Sequence, residues 1–408
     1  MKVLMLTPYV TINDRAEFSK NKTGFGYMVY DIARAVAQTE QVDVLASDSR
    51  GPEFVKDRVR FLKRSMVLSF LYCFRCQPLS LVLRLLKQYK IQSGSKLRLF
   101  YYWFISGYYR SIICKGNYDV VQIHGCSFFT ELWMQVCNRC NQKFIVTLHG
   151  LNSFSDSVCL STSGKQYERD FLKRVVEEEF TITVISTGMK HLIEKSYGVG
   201  DSDNIKVVCN SFNFSDENIL TLSVREKYGI PTDARVLLYV GNISVNKNQT
   251  QLVEAFDLLP EELRNYTWAL FCGENHMGHD SSFEDAVRNS PSAKQLIVCG
   301  GINKDLMPAY YQAADAVVLL SKAEGFGLSL IEGMYFGLPG LMFTDMDAYE
   351  DIYDENAIVG VANRDNQSVA EGIELLLTKQ WNKDLIKASS KRFDSETMAK
   401  NYIKVFKQ

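Results

Sequence analysis

At 408 residues the chain exceeds the roughly 250–300 residues at which a single core stops growing, so two domains are expected. A hydrophobic fraction of 46% without a low-complexity run excludes a disordered chain, and a net charge of −1 argues against a nucleic-acid binder held by bulk electrostatics. No uncharged apolar run reaches roughly eighteen residues, so no helical membrane span is expected.

The apolar start Lys2–Thr7, broken at Pro8, is too short for a signal peptide and reads as a first strand. The polar stretch 9–23 reads as a long loop. Gly24-Phe25-Gly26 then forms a glycine loop, and Tyr27–Ala37 has helical periodicity. Residues 42–46 form the next strand.

Residues 58–115 carry twelve Lys or Arg and no Asp or Glu, interleaved with aromatic residues from Phe61 to Tyr109. This composition suits two helices packed on a domain with solvated cations, and equally a surface that docks on anionic lipid. Three strands follow: 119–123 into His124-Gly125, 143–148 into His149-Gly150, and 181–185 into Ser186. Ligands of parallel sheets sit beyond such carboxyl ends. Of the two histidines, His149 is the catalytic candidate.

Turn-rich sequence from Gly198 to Ser215 separates the halves. The second half repeats the pattern. Strands at 236–240, 268–272, 295–299, 316–320, 340–343 and 357–359 alternate with helical runs such as Gln249–Leu259 and Leu306–Ala313. The predicted class is α/β: two doubly wound, Rossmann-like domains facing across a cleft.

The densest motif is Ser321-Lys322-Ala323-Glu324-Gly325-Phe326-Gly327-Leu328, followed by a helix to about Phe336. Glycines let backbone approach a ligand, and the free N–H groups at a helix start favour an anion. Glu324 stands at the mouth, and Glu332 a little over two turns further on. A sugar nucleotide offers both a diphosphate for the amides and hydroxyls for the carboxylates. Ten cysteines are scattered through the chain. The pairs Cys73/Cys76 and Cys137/Cys140 have zinc-ligand spacing but lack knuckle turns, so reduced cytosolic thiols and no metal are expected. Asp345-Met346-Asp347 reads as a loop after a different strand.

These motifs together resemble the GT-B glycosyltransferases, nearest to the retaining enzymes of family 4 (glycosyl transferases group 1). The resemblance runs through nearly the whole chain and is strongest over 236–343. It implies that Glu324 contacts donor-sugar hydroxyls, that Glu332 binds the ribose, and that backbone from Gly325 through Phe326, Gly327 and Leu328 holds the diphosphate. Ser321 matches the serine after the strand. Gly241 and Lys247 match the glycine and the lysine that neutralises the pyrophosphate, and Gly300 lies in the donor set. Asn210 matches an asparagine at the domain junction. Gly24 and Gly26 match a loop that closes over the donor, and His149 a histidine near the reacting sugar. Asn242 departs from the pattern, where the family has arginine: either Arg15, Lys20 or Lys22 substitutes, or leaving-group stabilisation is weaker, or catalysis is impaired.

The resemblance implies domains at 1–205, with the insertion 58–115 and the C-terminal helix 393–408 packing back, and at 206–392. It implies metal-independent, retaining transfer of a hexosyl group, with His149, Glu324 and Lys247 as the catalytic set and no cofactor. The donor is a nucleoside diphosphate sugar, UDP-linked in preference to GDP-linked, and the acceptor a glycan or lipid-linked glycan of surface polysaccharide synthesis. The enzyme is expected in the cytoplasm, docked through 58–115 on the inner membrane face, with no nucleic-acid partner. Two alternatives keep the fold: a sugar-nucleotide 2-epimerase, and a non-catalytic partner subunit, which Asn242 favours.

Overall fold

The computed structural model of the chain describes residues 1–15, 18, 23–48, 51–76, 79–91, 93–154, 161–177, 180–214, 223–275 and 281–408. The chain divides into two compact units, residues 1–209 with 395–408, and residues 210–394.

The first unit holds β1 (Lys2–Thr7), β2 (Gln41–Ala46), β3 (Phe54–Lys56), β4 (Val59–Phe61), β5 (Val120–His124), β6 (Phe144–Leu148), β7 (Ile182–Val184) and β8 (Ile205–Val207). Their order is β3-β4-β2-β1-β5-β6-β7-β8. All neighbours are parallel except β3 and β4. The second unit holds β9 (Arg235–Val240), β10 (Thr267–Cys272), β11 (Leu296–Gly300), β12 (Ala316–Leu319), β13 (Gly340–Phe343) and β14 (Ile358–Val361). They form one parallel sheet in the order β11-β10-β9-β12-β13-β14. The strands read as continuous apolar runs because a parallel sheet is covered on both faces. Val236, Leu237, Leu238, Val317 and Val318 are all fully buried.

Strand order reverses between β1 and β5 in the first unit and between β9 and β12 in the second. At such a switch point the loops leaving the two strands diverge and open a crevice at the carboxyl ends.

Three elements differ from the sequence reading. The hairpin β3–β4 falls where no strand was expected. Its turn is Asp57-Arg58, both left-handed at φ 48° and 65°. Without a glycine, that two-residue turn carries no signature.

The glycine loop is the first turn of a helix, Gly24–Val36, capped by the Thr23 hydroxyl, which accepts from the Gly26 N–H at 3.3 Å. A Cβ on Gly26 would lie 2.1 Å from Thr11 Oγ1. Packing therefore requires that glycine. Nothing crowds Gly24.

Residues 58–115 contain β4 and three helices, Met66–Cys76, Leu79–Gln88 and Ser93–Gly116. Part of the aromatic set is structural. Tyr102, Trp103, Tyr108 and Tyr109 are buried, and Tyr102 stacks on Phe129 at 3.6 Å. The first and third helices cross at Gly107, where a Cβ would meet the Cys73 nitrogen at 2.5 Å. The exposed apolar residues of these helices are instead mainly aliphatic: Val67, Leu71, Leu83 and Leu97, with Phe70. The last helix, Ser395–Lys407, belongs to the first unit; Tyr402 is buried there and the Phe406 carbonyl accepts from Lys143 Nζ at 2.7 Å.

Candidate active site

In the second unit the loop after β9 and the loop after β12 meet at the switch point. Asn246 joins them. Its amide donates to the Ala323 carbonyl at 2.9 Å, its Oδ1 accepts from the Ala323 N–H at 3.1 Å, and its own carbonyl accepts from the Lys322 N–H at 2.7 Å. This lacing brings Lys247 Nζ into an ion pair with Glu324 Oε2. The buried Ser321 hydroxyl donates to the same oxygen at 3.2 Å.

Below them, the buried Tyr239 hydroxyl donates to the Lys247 carbonyl and accepts from the Leu320 N–H at 3.0 Å. One side chain near the carboxyl end of β9 thus ties both loops together.

Gly327 caps the helix Leu328–Tyr335 in the left-handed region, φ 95°. A Cβ there would also press on Leu319 Cδ2 at 2.9 Å. The N–H groups that open a helix have no partner inside it, so this end presents donors and positive potential. Phe326 is buried edge-on against Phe393, which leaves its backbone, not its ring, to face a ligand. Glu332, on the same helix, accepts from the Tyr311 hydroxyl at 2.6 Å. Burial, then the Glu332 carboxylate, hold the Tyr311 phenol well above its usual pKa.

Gly241 follows β9, and Asn242 is exposed beside it. A Cβ on Gly273, after β10, would lie 2.0 Å from the Gly241 carbonyl oxygen, so the two strand ends touch through backbone. Gly300 ends β11 at φ 71°. Asn210 is buried, and its Oδ1 has no partner among the described residues.

The Asp345-Met346-Asp347 loop borders the site. Arg364 donates two hydrogen bonds to Asp345, at 2.7 and 2.9 Å, and one to the Ser321 carbonyl at 3.1 Å. Burial, then Glu324 and Asp345, push the Asp347 carboxyl up to about 6. Among the described residues no group of three or more His, Cys, Asp or Glu is placed to hold a metal ion.

In the first unit, His149 follows β6 and His124 ends β5. Their rings touch through His124 Nδ1 and His149 Nε2 at 3.1 Å. Phe25, from the capped helix start, packs edge-on against His149 at 4.9 Å. Burial pushes His149 down to about 4; burial and then His149 push His124 well below its usual value. Arg15 lies over the Phe54 ring at 4.4 Å. Lys20 and Lys22 fall outside the described residues.

Sequence reasoning did not select Tyr239, Asn246, Tyr311, Asp347 or His124. A strand tyrosine has no motif to mark it. The only available signal was position: Asn246 sits in the polar run before a helix, and His124 at the end of a central strand.

Two Rossmann-like units with this strand-end site define the GT-B class of glycosyltransferase. Residues 222–393 match the glycosyl transferases group 1 model and residues 23–215 match the glycosyltransferase family 4 model. Between them the two matches take in most of both units, and the chain belongs to this glycosyltransferase family.

A relative described as an uncharacterized glycosyltransferase of Methanocaldococcus jannaschii is 24% identical over 72% of this chain and 77% of its own. The GDP-mannose:cellobiosyl-diphosphopolyprenol alpha-mannosyltransferase of Xanthomonas campestris is 25% identical over 63% of this chain, which spans 64% of that relative's length. The solved sucrose-phosphate synthase of Thermosynechococcus elongatus shares the fold, with a TM-score of 0.74 at 18% identity over 100% of this chain and 99% of that one.

Proposed function

We propose that the chain transfers a hexosyl group, with retention and without a metal, from a nucleoside diphosphate sugar to a hydroxyl of a glycan or lipid-linked glycan in surface polysaccharide synthesis. The observation that carries this reading is the Lys247–Glu324 pair beside the Gly327-capped helix start. It sets one cation, one carboxylate and a row of amides at a single switch point.

The barrier to transfer is heterolysis of the bond from sugar C1 to the diphosphate oxygen. Negative charge grows on the leaving diphosphate, and preorganised donors lower that barrier. Lys247 and the amides at Gly327 and Leu328 supply such donors. Lys247 also holds Glu324 by its Oε2, so that its other oxygen accepts from donor-sugar hydroxyls. Glu332, held by Tyr311, accepts from the ribose. In this reading Asn242 contributes no charge, so leaving-group stabilisation rests on Lys247 and the amides. His149, kept neutral by burial, is in this reading the histidine that serves the reacting sugar. No protein nucleophile is assigned. The leaving phosphate takes the acceptor's proton.

The name of the Xanthomonas relative, with GDP-mannose as donor and a cellobiosyl-diphosphopolyprenol acceptor, supports the substrate classes. The exposed residues Val67, Phe70, Leu71, Leu83 and Leu97, with Arg84, Lys87 and Lys96 exposed nearby, suit docking beside a lipid-linked acceptor. No helix among the described residues is long and apolar enough to cross a membrane.

A panel of UDP- and GDP-sugars, scored by calorimetry and by nucleoside diphosphate release with and without acceptor, tests the reading. Binding of one donor with acceptor-dependent release is expected. No binding to any donor points to a partner subunit, and conversion of the donor without acceptor to an epimerase. Flotation with anionic against neutral liposomes tests the docking face; equal recovery would leave only the packed helices.

A further inference from the structure

We propose that Asp347 is a specificity-determining residue for the donor sugar: with Glu324 it forms a pair of carboxylates that accept from two neighbouring hydroxyls of the sugar ring. The inference deepens the reading of the second unit as a donor site and rests on it.

Asp347 lies on the loop that leaves β13. That strand runs parallel to β12, with Leu319 opposite Met342, so the two loops leave the sheet side by side at its carboxyl edge. Arg364 clasps them. Its two hydrogen bonds to Asp345 and its bond to the Ser321 carbonyl join the loop of Asp347 to the loop of Glu324. The Tyr349 N–H donates to the Met346 carbonyl at 2.9 Å and closes the turn around Asp347. Met346 and Ala348 are buried and anchor the backbone on either side, whereas Asp347 is partly exposed and open to a ligand. The Glu324 charge is near enough to strengthen its hold on a proton.

The acids of this region differ in what holds them. Glu324 has Lys247 and Ser321, Asp345 has Arg364, and Glu332 has Tyr311. Among the described residues no hydrogen bond or ion pair holds Asp347. A half-buried carboxylate with two like charges beside it and no cation of its own works against the fold. Packing gives no return for that cost, since an amide of the same shape would carry none of it. Such a residue belongs to the part of a site that a ligand completes.

The ligand that completes it must bring hydrogen-bond donors. A second anion would add to the repulsion. Adjacent hydroxyls of a pyranose point outward side by side, and each can donate to one carboxylate. Two acids that repel each other in the empty site are then bridged by the sugar through charge-assisted hydrogen bonds. A sugar without one of those hydroxyls leaves its carboxylate unpaired, so the pair discriminates between sugars that differ at that position.

Calorimetry on the full-length protein at pH 7.5 tests this, with UDP-glucose, UDP-galactose, UDP-N-acetylglucosamine and GDP-mannose as probes. The donor that binds is then compared with UDP or GDP alone and with analogues that each lack one sugar hydroxyl. Asp347→Ala is expected to weaken the sugar nucleotide at least about tenfold and to leave UDP or GDP alone within about twofold. One deoxy analogue should lose about tenfold in the wild type and almost nothing further in the variant, because the two changes remove the same bond. A structural role would move both nucleotide and sugar nucleotide and would couple to no single hydroxyl. Equal donor affinity in wild type and variant, or the same deoxy losses in both, overturns the inference and leaves the donor site standing. No binding of any probe to the wild type sinks the donor reading and this inference with it. If Asp347→Ala does not fold, the near-isosteric Asp347→Asn carries the same comparison.

Discussion

The Lys247 ammonium lies against the Glu324 carboxylate and fastens the loop after β9 to the loop after β12. The lysine side chain is 27% exposed and the glutamate 18%, so water screens the pair only in part. Each group fixes the direction of the other.

Under the proposed function, Lys247→Ala and Glu324→Ala each lower kcat for transfer at least about 100-fold, the scale of losing one transition-state contact. Because the groups act as a unit, the double variant should lose much less than the product of the two single losses. A full multiplicative loss in steady-state assays would show that they act independently. His149→Ala should lower transfer by a similar factor.

The Tyr311–Glu332 hydrogen bond predicts a different kinetic pattern. The buried Tyr311 phenol donates to Glu332 at 2.6 Å. Tyr311→Phe removes the hydroxyl and keeps the ring stacked on Phe336 at 5.4 Å. A ribose contact is made alike in ground and transition states, so KM for the donor should rise several-fold, roughly 3- to 10-fold, at near-constant kcat. A drop in kcat at unchanged KM would remove Glu332 from nucleotide binding.

Much of the fold was legible because parallel strands buried on both faces write themselves as apolar runs, and both sheets stood out that way. The β3–β4 hairpin did not, since three residues carry no period and its left-handed turn uses Asp57 and Arg58. In residues 58–115 composition left packed helices and a docking surface equally open. Tyr102, Trp103, Tyr108 and Tyr109 line the core, as packed helices require, because burial of a ring depends on contacts that composition does not encode. Lys247 and Glu324 could be picked as candidates from motifs. Their support could not. Tyr239 and Asn246 matter through contacts made across the switch point, and these depend on strand order, which no local pattern encodes.

Tyr239→Phe tests that support. The hydroxyl accepts from the Leu320 N–H and donates to the Lys247 carbonyl. Its removal leaves a buried donor and a carbonyl without their partner, at a cost of about 1–3 kcal/mol. Denaturant unfolding should show this loss. Transfer should fall as well, since Lys247 and Glu324 lose the group that sets their loops. A variant with lower stability but unchanged kcat would confine Tyr239 to the core.

Asp347 gives the site a pH signature of known sign. Its carboxyl is pushed from 3.8 up to about 6 by burial, then by Glu324 and Asp345. The folded chain therefore binds this proton more tightly than the unfolded chain does. Its contribution to stability is fully present below about pH 4 and is lost as pH rises through 6. Above that, the folded state holds an ionised carboxylate that it disfavours by about 1–3 kcal/mol, allowing for partial exposure. Asp347→Asn mimics the protonated form at every pH. The variant should match the wild type near pH 4 and exceed it by that amount at pH 7.5, measured by denaturant unfolding at both. The buried histidines His124 and His149 impose the opposite slope, losing stability as pH falls from 6.5 toward 4. They are present in both proteins, so their effect cancels in the difference. Equal stabilities at pH 7.5 would mean that Asp347 ionises without penalty and is not confined beside Glu324.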